Sequence, residues 1–434
     1  MSRGRPSRPG PGGSQPRGSR PGGGRPNRPE QRDHRDHRPW ERRSAAPATR
    51  PDPSETRLIE LTYLPGMAPF VLAELDQVVP DWARARVPER DDAIQVRIPD
   101  SVPGALIPVE LAKLVKLRTV VAPYLVLNFP GRRPNALASD PFLSKISRAL
   151  LFARAFNPLA MDELPPEMQV DRDTFRLDAA GADSPQLTRL TRNIAKATEL
   201  RHTEDGAWQL RLRRGLFGQQ AWASQQGDDG DPGWQLLIRF VGRPLAARPW
   251  RVRDYPGALN GTIAAAAVQL AEIAATDRVA NLMSGSATLA IEAALGGPVR
   301  TVTAVDRLAE ATAAGVANAT AAGVHRKVKQ HTGEIADAEW RGDHAFQVLL
   351  ADPPWGDLIG DRSAALTAHA DLLRVATEVA APGARLVVVT HEIKAFQDLI
   401  TAQDHWELVS QHSVFAKGHH PRIFLLHAPS PSAD

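Results

Sequence analysis

The 434-residue chain contains no cysteine. Disulfide bonds and thiolate-bound zinc or iron–sulfur centres are therefore excluded. The chain also lacks any run of about 18 apolar residues, so no membrane-spanning helix is expected. Its N-terminus has no apolar segment typical of a secretory signal. We accordingly expect a cytoplasmic protein that binds no metal and does not associate with a membrane.

The body of the chain carries a slight net negative charge, although the chain as a whole is basic. Residues 1–50 contain 13 arginines and four acidic residues, which gives +9, whereas the whole chain carries +4. The remaining residues therefore carry −5. If residues 51–434 bind nucleic acid, they must do so through local basic patches, because their net charge is negative.

Residues 1–55 are rich in Arg, Pro, Gly and Ser and almost free of aliphatic residues. Such a segment cannot bury enough apolar area to offset the entropy cost of ordering, which predicts a disordered tail. Its arginines could bind RNA phosphates and stack on bases. A solubilising extension remains the alternative interpretation.

Residues 56–218 alternate short strands and helices in α+β fashion. The pattern predicts strands at Leu58–Tyr63 and Arg118–Leu127 and a helix that Ser184 caps, with Pro185 at its first position. Residues 219–254 are expected to hold strands that connect this region to the next domain.

Residues 255–430 alternate helices with apolar strands more regularly. This pattern is typical of a parallel sheet covered on both faces, an α/β fold. The last two predicted strands, Glu407–Phe415 and Arg422–His427, form a hairpin that brings an antiparallel strand into the sheet. We expect a Rossmann-like, seven-stranded, mostly parallel sheet.

Ligands of such sheets bind beyond the carboxyl ends of the strands, and the first strand there is followed by Ser284-Gly285-Ser286-Ala287-Thr288. Small residues let the backbone approach a ligand, and the following helix offers N–H donors to a carboxylate. An ordinary strand-to-helix turn is the alternative. The segment does not match Gly-x-Gly-x-x-Gly, which disfavours a nicotinamide cofactor.

Acidic residues follow the second and third strands of this domain. Asp306 lies 21 residues after Gly285, where a carboxylate can accept both hydrogen bonds of a ribose diol. A helix N-cap is its alternative role. Glu334 could accept from an adenine amino group or could be a solvated loop residue.

Asp352-Pro353-Pro354-Trp355 follows the fourth strand and is the most specific signal. Two prolines fix a stiff turn whose carbonyl groups face outward. A carboxylate and a carbonyl that accept the two N–H bonds of a base amine would hold that amine towards a methyl donor, while the indole stacks on the base. A proline-rich turn with a buried Trp is the alternative.

These four residues resemble motif IV, (Asp/Asn)-Pro-Pro-(Tyr/Phe/Trp), of amino-group methyltransferases. Residues 240–427 further resemble the THUMP-domain RNA guanine-N2 methyltransferases of tRNA and large-subunit rRNA. The likeness rests on Arg248-Pro249-Trp250-Arg251, Leu259–Ala264, the turn from Asn281 to Thr288, and Ile291–Ala294. Over residues 58–215 the likeness is weaker.

The resemblance implies a class I methyltransferase fold preceded by a THUMP-like RNA-binding domain, with S-adenosylmethionine as cofactor and tRNA or rRNA as partner. It also implies that the target atom is guanine N2 and that the protein is a monomer. The implied cofactor-binding residues are Thr262, Ser284, Gly285, Ser286, Thr288, Asp306, Glu334 and Asp352, and the implied catalytic loop is Asp352, Pro353, Pro354 and Trp355.

The chain departs from that family at four positions. Asn281 and Glu334 stand where aspartates are usual, Ala287 replaces a glycine, and Gly261 replaces a proline. If position 287 requires a positive φ, alanine there costs about 1 kcal/mol or more. An inactive RNA-binding protein of the same fold therefore remains an alternative, and a DNA amino-methyltransferase is another.

Overall fold

The computed structural model describes residues 57–155, 171–215, 231–337, 339–341, 345–354, 362–416 and 418–430. The predicted tail at residues 1–55 lies outside the described residues. No helix in the described ranges is both long enough and apolar enough to cross a membrane.

The first described elements form a βαββαβ unit. Strand β1 pairs with β3 on one side and with β4 on the other, both antiparallel. The unit comprises β1 (Leu58–Thr62), α1 (Ala68–Val78), β2 (Ala83–Arg86), β3 (Ala93–Arg97), α2 (Ile107–Leu114) and β4 (Ala122–Phe129).

The next elements extend this sheet to eight strands in the order β2-β3-β1-β4-β8-β7-β5-β6. As predicted, the helix after β5 begins with Ser184 as its cap, whose hydroxyl accepts from the Leu187 N–H at 3.4 Å. The added elements are α3 (Asp140–Ala155), β5 (Thr174–Ala179), α4 (Pro185–Thr198), β6 (Arg201–His202), β7 (Trp208–Arg214) and β8 (Trp234–Arg239).

Two expectations for this region need correction. Part of the segment expected to connect two domains, residues 219–254, belongs to the first sheet, because β8 pairs with both β4 and β7. The strand expected at Arg118–Leu127 instead spans Ala122–Phe129. Its predicted start is a turn, since the Glu74 carboxylate accepts from the backbone N–H groups of Arg118 at 2.6 Å and Thr119 at 3.0 Å.

The second sheet confirms the predicted α/β fold, with seven strands in the order β11-β10-β9-β12-β13-β15-β14. Strands β9 to β13 are parallel, and β15 is antiparallel to both neighbours, as predicted for the terminal hairpin. The strands are β9 (Val279–Leu282), β10 (Val302–Asp306), β11 (Val328–Thr332), β12 (Phe346–Ala351), β13 (Ala380–Thr390), β14 (Glu407–Ser413) and β15 (Arg422–His427).

Helices cover this sheet and share a core with the first one. Buried side chains of the first sheet and α1 form one apolar cluster with α5 and α6, for example Leu125, Ile263 and Leu289. The helices are α5 (Gly261–Leu270), α6 (Thr288–Gly296), α7 (Ala309–Ala321), α8 (Arg362–Val379) and α9 (Ile393–Thr401).

A buried ion cluster fixes α6 against the first sheet. Glu292 on α6 is 1% exposed and accepts from the Arg248 Nε at 2.7 Å and from the Arg118 guanidinium. Arg248 also donates to the backbone carbonyls of Arg118 and Gly261, at 2.6 and 2.8 Å. These contacts satisfy both buried charges. They join α6 and the start of α5 to the residues that precede β4.

Helix α8 is held on β13 by a buried histidine. The His369 Nδ1 lies 2.7 Å from the Ala365 carbonyl and its Nε2 lies 2.7 Å from the Thr390 hydroxyl. A carbonyl only accepts, so Nδ1 carries the proton and Nε2 accepts from the hydroxyl. Burial lowers the pKa of His369, although the bond to Ala365 acts in the opposite direction.

Replacing Glu292 with alanine would leave Arg248 buried without its counter-charge. We expect a loss of about 3–5 kcal/mol in the free energy of unfolding, measured by urea denaturation. Glu378→Ala is the matched control, because Glu378 pairs with Arg341 and Arg374 at the surface, and it should change stability little. Equal effects of the two substitutions would contradict the role of the cluster.

The neutral state of His369 makes part of the stability depend on pH. Because the folded-state pKa is lowered, its contribution is fully present above the unfolded pKa of about 6.5 and is lost as the pH falls below that value. The difference in unfolding free energy between wild type and His369→Gln should therefore shrink between about pH 7 and pH 5. Parallel pH profiles in urea titrations would rule this out.

Candidate active site at the sheet switch point

The order of strands reverses between β9 and β12, which are neighbours although two strands separate them in sequence. Loops that leave adjacent strands at such a point diverge to opposite faces and open a crevice. A cavity of about 780 Å³ lies here. The sequence signals after β9, β10, β11 and β12 all contribute to its walls.

The turn after β9 combines three residues with positive φ, namely Met283 at 51°, Gly285 at 53° and Ala287 at 61°. Backbone bonds fix this shape, since Ser284 N–H donates to the Val305 carbonyl at 2.8 Å and Ala287 N–H donates to the Ser284 carbonyl at 2.8 Å. The left-handed conformation strains the two residues that carry a Cβ, by about 1–2 kcal/mol each. The turn thus keeps the shape for which a glycine at 287 would be better suited.

Asn281, which lies on β9, helps to fix the position of the same turn. Its side-chain carbonyl accepts from the Ala290 N–H in the first turn of α6, at 3.2 Å, and its amide donates to the Leu350 carbonyl on β12, also at 3.2 Å. An aspartate could make the first contact but not the second, because an ionised carboxylate does not donate. Asn281 therefore links the switch-point strands to α6, whose N-terminus faces the cavity.

Ser284 supplies an unsatisfied polar group at this turn. Its side chain is 9% exposed, and its hydroxyl finds no hydrogen-bond partner among the described residues. Ser284 lines the cavity together with Gly285, Ser286 and Thr288. Since buried hydroxyls are normally paired, this group suits a polar ligand that enters from the cavity.

Asp306 joins the turn after β9 to the start of α7. Its carboxylate accepts from the Gly285 N–H at 2.7 Å and from the Leu308 N–H at 3.0 Å. The two oxygens offer about four acceptor positions, so each can accept a further hydrogen bond from a diol. The alternative role as a helix N-cap is wrong, because the N-cap of α7 is Leu308 and no side chain caps the helix. Burial, then Asp306 and Glu310, raise the pKa of the nearby Tyr255, whose hydroxyl stays protonated.

The structure gathers most of the predicted residues at one place. Besides the turn after β9, the cavity is lined by Asp306, Glu334, Asp352, Pro353 and Pro354. Trp355 lies outside the described residues. Thr262 does not line the cavity: it is fully buried at the start of α5, where its hydroxyl donates to the Asn260 side chain at 2.7 Å.

Sequence reasoning missed two further walls of the cavity. One is the segment that precedes α5, and the other is a face of α8 that carries small and polar side chains. The helical spacing of the α8 residues was the signal that could have revealed them. The missed lining residues are Tyr255, Pro256, Gly257, Ala258 and Leu259 before α5, and Ser363, Ala364, Thr367, Ala368, Asp371 and Arg374 on α8.

Acidic groups outnumber basic groups in the lining. Asp306, Glu334, Asp352 and Asp371 face two arginines, of which Arg374 is paired with Asp371 at 3.4 Å and with Glu378 at 2.8 Å. Four carboxylates favour a ligand with cationic and hydrogen-bond-donating groups.

Comparisons with known proteins agree with this architecture. Residues 248–422 match the family model described as UPF0020: RMKL-like, methyltransferase domain. A tRNA (guanine(6)-N2)-methyltransferase of Methanocaldococcus jannaschii is 24% identical over 219 residues, which cover 42% of this chain and 57% of that protein. The match thus spans little more than half of the relative.

Solved structures resemble the chain over nearly its whole length. TrmN from Thermus thermophilus has a TM-score of 0.58 and 21% identity, over 86% of this chain and 99% of its own. SMU.472 in complex with SAH has a TM-score of 0.55 and 12% identity, over 87% and 99%. At these identities the likeness establishes the fold alone.

Proposed function

We propose that this protein transfers a methyl group from S-adenosylmethionine to an exocyclic base amine of RNA, with guanine N2 of tRNA or rRNA as the target. The observation that carries the proposal is the cavity at the switch point, where the unpaired Ser284 hydroxyl and Asp306 meet Asp352-Pro353-Pro354. The named relative and the family model support the same reaction class.

The residues present fit this cofactor. The α6 N-terminus and the Ser284 hydroxyl suit its carboxylate end, Asp306 suits the ribose diol, and Glu334 suits the adenine amino group. The acidic lining also suits the positive charge of a sulfonium. SAH, bound to the structurally similar SMU.472, is what remains of S-adenosylmethionine after methyl transfer.

S-adenosylmethionine supplies an electrophilic methyl group on sulfur. The chain's task is mainly to position the amine, because the lone pair of an exocyclic amine is delocalised into the ring. Asp352 and the carbonyl groups of the following prolines accept the amine N–H bonds and direct the nitrogen towards the methyl group. When bound, the cofactor would supply the methyl group, and Asp352 or water would take the proton that the amine loses on methylation.

RNA is favoured over DNA as the substrate by two features. The curated relative acts on tRNA according to its name, and the Arg-rich tail suits an RNA-binding arm. The first sheet with its helices would be the THUMP-like RNA-binding region. We further propose that the protein works as a monomer in the cytoplasm.

A catalytically inactive RNA-binding protein of the same fold is the second candidate. The strained Ala287 is the observation that favours it. Asn281 argues less strongly for inactivity, because its contacts keep β9, β12 and α6 together. Calorimetry with S-adenosylmethionine separates the two candidates, since micromolar binding would argue against loss of the cofactor site.

Asp352 provides the direct test of catalysis. With tritiated S-adenosylmethionine and total tRNA and rRNA, we expect wild type to label RNA and Asp352→Ala to lose labelling by about 100-fold or more. Asp352→Asn should keep part of the activity if the side chain acts as a hydrogen-bond acceptor, and none if it must take the proton. Asp398→Ala, at an exposed position of α9, is the matched control.

RNA labelling that is absent from wild type, or equal in wild type and Asp352→Ala, would contradict the proposal. An excess of unlabelled DNA in the same assay separates the substrate classes. It should leave RNA labelling unchanged, whereas a DNA amino-methyltransferase would divert the methyl group to DNA.

Ala287→Gly should stabilise the protein slightly. Release of the left-handed strain, about 1–2 kcal/mol, exceeds the loss of one buried methyl group, about 0.8 kcal/mol. Thermal unfolding should show a small rise in Tm, and calorimetry a modest gain in cofactor affinity. Ala266→Gly, equally buried but inside α5, should lower Tm instead. The same loss in both variants would refute the strain at position 287.

A further inference from the structure

Two hydroxyl groups at the N-terminus of α6 face the cavity. Ser284 and Thr288 both line it, although they are only 9% and 3% exposed. The Ser284 hydroxyl has no hydrogen-bond partner among the described residues. The Thr288 hydroxyl accepts from the Arg251 Nη2 at 3.2 Å, and in the described part of the chain it donates to no group. Both hydroxyl protons can therefore bind an acceptor that enters the cavity.

Arg251 lies behind this end of the cavity and joins two of its walls. Its own side chain is not part of the lining, but its Nη2 donates to the Leu259 carbonyl at 2.7 Å as well as to Thr288, and both of those residues line the cavity. The Arg251 N–H donates to the Arg248 carbonyl at 3.0 Å, which closes a turn. The guanidinium also lies over the ring of Trp250, 5.6 Å from its centroid. These contacts hold the guanidinium in one position.

The two arginines of this turn differ in how their charges are neutralised. Arg248 forms an ion pair with Glu292 at 2.7 Å, one helical turn after Thr288 on α6. Arg251 forms no ion pair within 4.0 Å with any carboxylate of the described residues. Its contacts with α6 and with the segment before α5 are made to neutral oxygens.

Arg251 is also partly buried, which makes an unneutralised charge costly. Burial lowers the pKa of Arg251, while Asp254, beyond ion-pair distance, acts in the opposite direction. An arginine keeps its charge under these conditions, because its ordinary pKa lies above about 12. Since charges removed from water are normally paired, this guanidinium suits an anionic group that binds beside Thr288.

The rest of the lining makes such a cation necessary for an anionic group. Four carboxylates line the cavity and repel a further negative charge. Arg307 and Arg374 line it too, but Arg307 follows β10 and Arg374 lies on α8, where it is paired. At the start of α6, the helix dipole supplies about half a positive charge, and Arg251 adds a full one.

We propose that Arg251 is a positioning residue that makes the α6 end of the cavity selective for the carboxylate of S-adenosylmethionine, and that it acts through the Thr288 hydroxyl. This inference rests on the proposed function. Because Arg251 donates to the Thr288 oxygen, the hydroxyl proton points away from the guanidinium, and the nearby charge strengthens it as a donor. The two hydroxyl groups and the helix N–H groups then bind the carboxylate, while Arg251 balances its charge.

Decarboxylated S-adenosylmethionine tests this role, because it keeps the adenosine, the sulfonium and the amine but lacks the carboxylate. In calorimetry, Arg251→Met should weaken binding of S-adenosylmethionine roughly 10- to 100-fold and leave binding of the decarboxylated compound unchanged or slightly tighter. Arg251→Lys, which keeps the charge, should retain most of the affinity for S-adenosylmethionine. An equal loss for both compounds would show a merely structural role and overturn the proposal, as would an undiminished affinity for S-adenosylmethionine.

Arg253→Met is the matched control. Arg253 is exposed on the same segment, and it is its backbone N–H that donates to the Asn318 side chain, at 2.8 Å. The loss of its side-chain charge should therefore change neither affinity. A selective loss in Arg253→Met as large as that in Arg251→Met would assign the effect to net charge and contradict the role of Arg251.

Thr288→Val tests the route and serves also if Arg251→Met does not fold. It removes the hydroxyl but keeps the shape of the side chain, and it should lose affinity for S-adenosylmethionine alone. When the two substitutions are combined, the losses should be less than additive, because both break the same contact. Fully additive losses would contradict action through Thr288.

The binding measurements also separate this inference from the proposed function. If wild type shows the selective losses but labels no RNA, methyl transfer to RNA fails and the role of Arg251 stands. If wild type labels RNA but Arg251→Met affects both compounds equally, the role of Arg251 fails and the proposed function stands. If wild type binds neither compound, both are wrong.

Discussion

The reversal of strand order between β9 and β12 is the constraint on which the cavity depends. The two strands are paired along their length, so the turn after β9 and the loop after β12 start side by side. Asn281 strengthens this point, because one amide group bonds both to β12 and to α6. Apart from Glu334, which follows β11, the residues to which we assign cofactor or base contacts in this cavity are placed by strands at or next to the reversal.

The first domain contacts the second sheet and its helices at two different places. The Glu292 cluster holds α6, whose other end faces the cavity, and burial makes its charges costly to separate. The Pro65–Gly66 turn meets the connection between β14 and β15 at the carboxyl edge. The first domain thus contacts the second sheet and its helices at two separate places, on α6 and at the connection between β14 and β15.

Local sequence signals predicted the second sheet well, because its strands are short apolar runs separated by helices. The first domain was harder, since its sheet depends on contacts distant in sequence. Strand β8 pairs with β7 and also with β4, which lies more than 100 residues earlier, and the residues before β4 form a turn because Glu74 binds their backbone. Neither interaction leaves a pattern in a local window.

The site could be predicted where chemistry requires unusual residues. Asp306 and the Asp352 loop were found because carboxylates and paired prolines at strand ends are distinctive, and both line the cavity. The α8 wall was missed because Ala, Ser and Thr carry no such signature. Thr262 was chosen by resemblance alone, and burial in α5 removes it from the cavity. Whether Ala287 is strained does not follow from the sequence, because the strain depends on its φ, which is 61° in the structure.

The roles assigned to the residues of the cavity depend on the identity of the reaction. Mass spectrometry of nucleosides from the tRNA and rRNA of a deletion strain and its parent tests this directly. We expect N2-methylguanosine to decrease in one RNA class and to return when the wild-type chain is supplied, but not when the Asp352→Ala chain is supplied. Unchanged N2-methylguanosine, or loss of a methylated adenine or cytosine in its place, would contradict the assignment of guanine N2.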